Sequence, residues 1–503
     1  MTTYTRPNRL RRRAAVALLA SAVAAPVLLT AGPAVAHDRG HGRDDRSKLA
    51  RELVDEASGR SAYKHLKAFQ RIADANGGTR AAGTPGHVAT TTYVHDLLKK
   101  AGYQVSYQDF DIWEAVTETE RTTVLPGADG TGSRELATAA FTLTPSTPAG
   151  GLTAPLVPIR VDETPGCGAD DYAGVDVKGR IALVKRGTCT FVEKQKAAAA
   201  AGAAGVLVYN HSGTTPVRGS FSSPTEATIP SAGLTLADGE ALVAAAAKGE
   251  VKVKLDVVQK HVKKTTRNVI AETPWGRPDK VVSLGAHSDS VPEGPGINDN
   301  GSGSAGLLEV ALKLADETKG KKNKPVNKVR FGWWSAEELG LLGSEHYVNS
   351  LTEKQRKDIA LYLNFDMIAS PNPVQFVYDG DDSDKVGAGA GPAGSAQIEK
   401  LINTFLDRKG KPHEGTDFDG RSDYGPFIEN GIPAGGTFTG AEGIKTPAQA
   451  ARYGGKAGVA YDPNYHGKGD DLKNLDLRAF DTNVDVIAHA VGTYAQDLSS
   501  LGR

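Results

Sequence analysis

Five scattered residues carry side chains that bind divalent metals: His287, Asp299, Glu338, Asp366 and His466. They stand in the segments GAHSDS, INDNGSGS, SAEELGLLGSEH, LNFDMI and YHGKGDD. Imidazoles and carboxylates in this mixture form a donor set for two divalent ions, zinc above all. Glu337 stands directly beside one of the five. Adjacent residues in extended chain point to opposite sides, so one glutamate can ligate while the other faces the open site. Two metals with a free carboxylate beside them are the equipment of a hydrolase.

Taken singly, most of these residues have a plainer reading. His287 and Asp289 lie two apart at a strand end and share one face. The carboxylate can then hold one imidazole nitrogen while the other takes a metal, although SDSVPEGPG would also serve as a surface turn. Asp299 has two oxygens and can bridge two ions, yet it also sits where a helix N-cap belongs. Glu337-Glu338 could be a solvated helix start. Asp366 shifts the balance, because it follows the largely apolar run Leu361 to Phe365 and precedes Met367-Ile368. A charge so flanked is costly unless paired or metal-bound. His466 alone reads as a surface histidine, and Tyr465 beside it could donate a hydrogen bond to a developing oxyanion. Gly301, Gly303 and Gly306 match GxGxxG, but Asn298-Asp299-Asn300 separates them from the strand and spoils the dinucleotide-binding geometry. These glycines are expected instead to let the backbone pass close to the metals. The chain has no HExxH and no GxSxG.

Strands must deliver these residues to one place. From Asn268 onward strands and helices alternate: Val281 to Gly285, a helix over Gly303 to Leu314, Val329 to Trp334, and Ile359 to Phe365. This pattern implies an α/β sheet with helices on both faces. Ligand sites in such sheets gather beyond the carboxyl ends of the strands, and four of the five candidates follow strands or their exit loops. Before this region, Leu49, Leu53, Tyr63, Leu66, Phe69 and Ile72 recur at helical spacing. A second helix follows Gly86 and is capped by Gly102, and Tyr103 to Trp113 alternates like a strand. Prolines and glycines between Pro145 and Pro158 mark a boundary. The unit beyond it, to about Lys260, has a strand at Gly179 to Val184, an Ala-rich helix over Lys194 to Ala204 and a strand at Gly205 to Asn210.

The 503 residues exceed one ordinary core and suggest two folded units. Acidic and basic residues balance at 59 each, which gives no electrostatic reason to expect nucleic acid or a membrane as partner. Arg6, Arg9, Arg11, Arg12 and Arg13 precede the apolar run Ala14 to Leu29, and Ala34-Val35-Ala36 offers a cleavage site. Residues 1–36 therefore read as an export signal; the apolar run is short for a membrane span and is broken by Pro26. Residues 37–46 are polar and read as disordered or as a removed propeptide. Cys167 and Cys189 are the only cysteines. In an exported protein such a pair forms a disulfide, with two free buried thiols as the alternative.

In combination, the segments HSDS, NDNGSG, SAEELGLLGSEHY, NFDMI, GRSDYGPF and YH resemble the M28 zinc aminopeptidases in content and order, and most closely the secreted bacterial leucine-type enzymes. Asn76-Gly77-Gly78-Thr79-Arg80 and Gly83-Thr84-Pro85-Gly86 look like theirs too. The resemblance implies a central mixed sheet flanked by helices, formed from residues 47–145 and 263–503. It implies two Zn²⁺ held by His287, Glu338, Asp299, Asp366 and His466, with Asp299 bridging. Glu337 would be the general base and Tyr465 would steady the oxyanion. Arg421 would line the substrate site, and Met367 and Phe438 would wall a pocket for a large apolar side chain. Some relatives bind Ca²⁺ near the C-terminus, for which Asp481 and Asp485 sit suitably. Residues 146–262 resemble a protease-associated (PA) domain in the GRIALV strand, the RGTCTF segment and the Ala-rich helix, and a Cys167–Cys189 bridge fits that pattern. The implied protein is a secreted monomeric dizinc aminopeptidase acting on peptide N-termini. The alternatives are a carboxypeptidase or glutaminyl cyclase on the same fold, or a non-catalytic binding relative.

Overall fold

A computed structural model describes residues 48–127, 132–320, 324–385 and 387–502. The expected export signal and the polar segment after it lie outside the described residues. The first helical stretch is two helices rather than one: α1 (Lys48–Glu56) and α2 (Gly59–Ala75). Ser58 divides them, because its extended backbone and its side chain, which accepts from the Ser61 amide, make it an N-cap. Helix α3 (Pro85–Ala101) opens after the N-cap Thr84 and closes at the left-handed Gly102.

Strand β1 (Gln104–Val124) runs well past the expected Trp113. The inserted elements follow: β2 (Arg134–Leu136), β3 (Thr138–Ala140), β4 (Leu152–Pro158), β5 (Ile181–Lys185), α4 (Phe191–Ala200), β6 (Gly205–Tyr209), β7 (Ser231–Leu234) and α5 (Leu236–Ala246). The chain returns through β8 (Lys252–Glu272) to β9 (Arg277–His287), α6 (Gly301–Thr318), β10 (Asn327–Trp334), α7 (Leu342–Ser350), α8 (Glu353–Asp358) and β11 (Ile359–Phe365). It ends with β12 (Phe376–Tyr378), α9 (Ser395–Arg408), β13 (Glu414–Thr416), α10 (Gly425–Glu429), β14 (Ala434–Phe438), α11 (Pro447–Tyr453) and α12 (Leu477–Tyr494).

The main sheet has the order β13-β12-β14-β11-β9-β10-β8-β1. Its centre, β14-β11-β9-β10, is parallel, and β8, β1 and β12 add antiparallel edges, so the sheet is mixed. Both faces are covered. Phe331 and Trp333 of β10 and Leu361, Leu363 and Phe365 of β11 pack with α1, α2, α6 and α12. Trp334 and Tyr362 point the other way, into an aromatic cluster with Tyr347 of α7 and Phe427 of α10. Alternation along each strand sends successive side chains to opposite faces, and two apolar faces demand two helical layers.

The ribbon of β1 and β8 crosses from this sheet to the insert, where β4, β5, β6 and β7 lie parallel and β4 pairs with β8. Leu136, Phe141 and Leu143, which precede the Pro-rich boundary, pack in the insert's cores. Helix α4 starts earlier than its Ala-rich run because Thr190 and Glu193 form a capping box. Cys167 and Cys189 are disulfide-bonded.

One ion pair in the main core has a measurable signature. Glu309 of α6 is fully buried, with Lys64 Nζ at 2.8 Å and His65 Nε2 at 3.4 Å. Burial opposes its charge, but these two partners outweigh burial and hold its carboxyl down at about 2. A depressed acid stabilises the fold above its unfolded value and loses that contribution as pH falls toward the folded value. Glu309→Gln is therefore expected to cost about 3 kcal/mol at pH 7. The difference from wild type should vanish between about pH 4 and pH 2. Chemical denaturation at pH 7 and pH 3 checks this: an equal deficit at both would disprove the linkage.

Candidate metal centre

The carboxyl ends of the four parallel strands place the site. His287 is the last residue of β9, Asp366 follows β11 directly, and Phe438 is the last residue of β14. Beyond β10 the chain turns through Ala336 in a left-handed conformation (φ 58°), which swings Glu337 and Glu338 back over the strand ends. Asp299 immediately precedes Asn300 and α6. The N-cap is Asn300, whose side chain accepts from the Gly303 amide at 2.9 Å. That relieves Asp299 of the capping role and leaves both its oxygens to the site. His466 enters from a distant loop, also with positive φ (55°).

The five expected ligands converge. Asp299 Oδ1 lies 3.2 Å from His287 Nε2, and Asp299 Oδ2 lies 3.2 Å from His466 Nε2. His287 Nε2 is also 3.4 Å from Asp366 Oδ1, and His466 Nε2 is 3.0 Å from Glu338 Oε2. One ligand atom each from His287, Asp299 and Glu338 lies within 4.8 Å of the others, and so does one each from His287, Glu337 and Asp366. Within this cluster His287 Nε2, Glu338 Oε1 and Asp366 Oδ1 are buried and have no hydrogen-bond partner. Buried lone pairs without donors are costly unless a cation takes them, so the donor set fits a pair of divalent ions. Asp289 Oδ1 faces His287 Nδ1 at 3.5 Å, on the side away from the cluster.

The electrostatics have the same origin. Burial alone would lower His287, but Asp366 and Glu337 overcome it and hold the imidazole well above its ordinary value. Burial raises Glu338 to about 7, and burial likewise pushes Glu337 well above the carboxylate range. Burial would raise Asp299 as well, but the facing imidazoles of His287 and His466 hold it below that range.

The remaining expected residues lie around this cluster. The Tyr465 ring stacks on His466 with centroids 3.8 Å apart, and its hydroxyl accepts from Arg421 Nη2 at 3.3 Å. Arg421 is itself paired with Glu442 at 2.9 Å. Met367 is buried directly after Asp366, and its carbonyl accepts from the amide of Thr439, the neighbour of Phe438, at 2.9 Å. Asp481 and Asp485, expected for calcium, are engaged otherwise: Asp481 accepts from the Gly59 amide and Asp485 pairs with Lys409. Of the α6 glycines, Gly301 lies against the His287–Asp299 loop, where a Cβ would meet the Gly296 carbonyl, and the other two serve helix packing. A Cβ on Gly303 would strike the Phe365 carbonyl, and one on Gly306 would crowd Ile368 and Ile487, so they admit β11 and α12 against the helix.

Three supports had no assigned role in the sequence. Ser422 Oγ donates to Asp366 Oδ2 at 2.6 Å and fixes that carboxylate. Asp470 is buried and accepts from the amides of Asn298 and Asp299 at 2.8 and 3.0 Å. Arg80 is buried beneath the His287–Asp299 loop. Ser422 and Asp470 lie in quoted motifs, but nothing local distinguishes them from loop residues.

The profile of Peptidase family M28 matches residues 268–491, and that of the PA domain matches residues 152–242. The chain is 45% identical over 447 residues to an aminopeptidase of Pseudomonas aeruginosa, spanning 85% of this chain and 79% of that one. The chain belongs to peptidase family M28. This M28 chain is also 45% identical over 419 residues to leucine aminopeptidase 2 of Trichophyton rubrum, spanning 83% of this chain and 80% of that one. Among solved structures it resembles an aminopeptidase from Aneurinibacillus sp. strain AM-1, with TM-score 0.69 and 26% identity over 88% of this chain and 95% of that one. It also resembles a zinc aminopeptidase from Bacillus subtilis, with TM-score 0.59 and 27% identity over 86% of this chain and 94% of that one. The mixed sheet with flanking helices is thus the M28 fold, and the chain also contains a PA domain.

Proposed function

We propose that this M28 aminopeptidase is a secreted dizinc enzyme that hydrolyses the first peptide bond of peptides with a large apolar N-terminal residue such as Leu. One observation carries the reading: the two oxygens of Asp299 face two different histidines, each beside its own further carboxylate. His287 and Asp366 would hold one zinc, His466 and Glu338 the other, with Asp299 shared between them. The names of the relatives, aminopeptidase, leucine aminopeptidase and zinc aminopeptidase, support the metal and the substrate class.

Zinc held there supplies Lewis acidity, which makes water a nucleophile near neutral pH and polarises the carbonyl. The residues do the rest. Glu337 approaches His287 less closely than Asp299 and Asp366 do, its oxygen lying 3.8 Å from Nε2. Its buried carboxylate has raised proton affinity, as a general base needs. It takes a proton from water and returns it to the leaving amine. The Tyr465 hydroxyl, kept protonated chiefly by burial, donates to the oxyanion that develops on the substrate. Arg421 orients that hydroxyl. Asp289 fixes the His287 ring by holding its second nitrogen. Met367 and Phe438 flank the side-chain pocket.

Arg421 is already paired with Glu442, so it offers no free cation for a substrate's C-terminal carboxylate. That favours an aminopeptidase over a carboxypeptidase. The signal-like residues 1–36 and the disulfide, which persists in oxidising compartments, support secretion. Among the described residues no helix is long and apolar enough to cross a membrane.

The test compares leucyl p-nitroanilide with its N-acetylated form, before and after chelation. The free-amine substrate alone should be cleaved, and zinc should restore the chelated enzyme. Equal cleavage of the acetylated substrate, or full activity in metal-free protein, would end this reading.

A further inference from the structure

The loop between His287 and Asp299 carries two expected ligands at its ends and no regular structure between them. Arg80 reaches this loop from the far N-terminal segment. Its Nε donates to the Pro295 carbonyl at 2.8 Å, while Nη1 and Nη2 donate to the carbonyls of Ser288 and Gly296. Its own amide donates to Ser290 Oγ at 3.0 Å, and Thr79 Oγ1 donates to the Val291 carbonyl at 2.9 Å. The guanidinium has no solvent exposure and lies over the Phe69 ring.

Among the described residues no carboxylate pairs with Arg80 directly. Asp289, Asp470, Asp299 and Glu338 act on it through space. A buried permanent charge without a direct counterion is costly, and three backbone carbonyls with four nearby carboxylates offset that cost here. The planar fork of arginine can serve three carbonyls at once, whereas an ammonium cannot. The opposite side of the loop is held by Asp470, through the amides of Ile297, Asn298 and Asp299. Gly296 completes the fit. It has φ 61°, and a Cβ there would strike the Asp299 carbonyl and Ser290.

We propose that Arg80 is a positioning residue for the metal centre: its fork clamps the 288–296 loop and so sets the separation of His287 and Asp299 before any metal binds. The proposal rests on the two-metal reading for its affinity arm and on the fold alone for its exchange arm. Arg80 touches neither substrate nor metal. Its effect should therefore appear in metal affinity and kcat, with KM little changed.

Arg80→Lys and Arg80→Met test it, each compared with wild type by three measurements. These are zinc affinity by chelator competition, the visible spectrum of the cobalt-loaded protein, and amide hydrogen exchange of residues 296–299 in metal-free protein. Outer supports of metal ligands typically contribute 10- to 100-fold in affinity. Arg80→Lys should bind zinc about 10-fold more weakly and Arg80→Met about 100-fold. Both should show faster exchange at 296–299 and a changed cobalt spectrum. If Arg80→Met fails to fold, Arg80→Lys decides, since it keeps the charge and loses the fork. Zinc affinity within twofold of wild type, with unchanged exchange, in a folded Arg80→Lys protein would overturn the proposal. Wild type that takes up fewer than two zinc ions would refute the two-metal reading instead, while faster exchange in metal-free Arg80→Lys would still support the clamp.

Discussion

Glu337→Gln is expected to lower kcat on a leucyl anilide by about 10³-fold, the scale of a positioned proton-transfer group and roughly 4 kcal/mol of barrier. Glutamine keeps the shape and removes the proton acceptor. The substitution should leave the metal content and the fold alone, because the two histidines are served by Asp299, Asp366 and Glu338. The left-handed turn at Ala336 is what makes this separation possible: it lets Glu338 reach His466 while Glu337 lies on the side of His287 and Asp366. The Glu337 amide faces Asp289 Oδ1 at 3.4 Å, a backbone contact that the substitution does not remove, so the turn should stay anchored. Elemental analysis beside steady-state kinetics checks the assignment. A kcat within tenfold of wild type, with full metal content, would remove Glu337 from the role of base.

The candidate metal ligands were legible because their types are anomalous where they occur. A histidine ending an apolar strand and an aspartate directly after Leu361 to Phe365 are unfavourable unless something repays them. Strand β11 fell where expected because a largely apolar run of seven residues, all buried, fits a central parallel strand. The second half of β1 was not legible. Glu114, Thr117, Glu118, Glu120 and Arg121 show no apolar alternation, and the strand persists because β8 lies along its whole length. There Lys260 and Lys264 meet Glu118 and Glu114 across the ribbon, and such cross-strand pairs act only once the partner strand is known. Ser58 was hidden for a related reason, since apolar periodicity continues through it while its side chain ends the register. Arg80 and Asp470 were hidden most completely. Their partners are backbone groups far away in the chain, and backbone groups leave no trace in residue identity.

Asp299→Ala is expected to have the largest effect of any single change, because it removes the one side chain common to both halves of the site. His287 and His466 each lose a facing oxygen at 3.2 Å, and among the described residues no other carboxylate forms an ion pair with both histidines. Two cations held close together also need an anion between them, since their repulsion is otherwise screened only by the outer ligands. The variant should bind at most one zinc, and activity should fall by about 10⁴-fold or more, below the contribution of the base alone. Excess zinc should not restore it. Asp289→Asn provides the contrast: it leaves every oxygen of the cluster in place and weakens only the orientation of His287, for which a 10- to 100-fold loss is the expected scale. Stoichiometry by elemental analysis, with kcat measured across a zinc titration, separates the two. Should Asp299→Ala retain two tightly bound ions, the bridging geometry would be irrelevant to metal binding, and the paired distances around Asp299 would reflect only the charge balance of the metal-free protein.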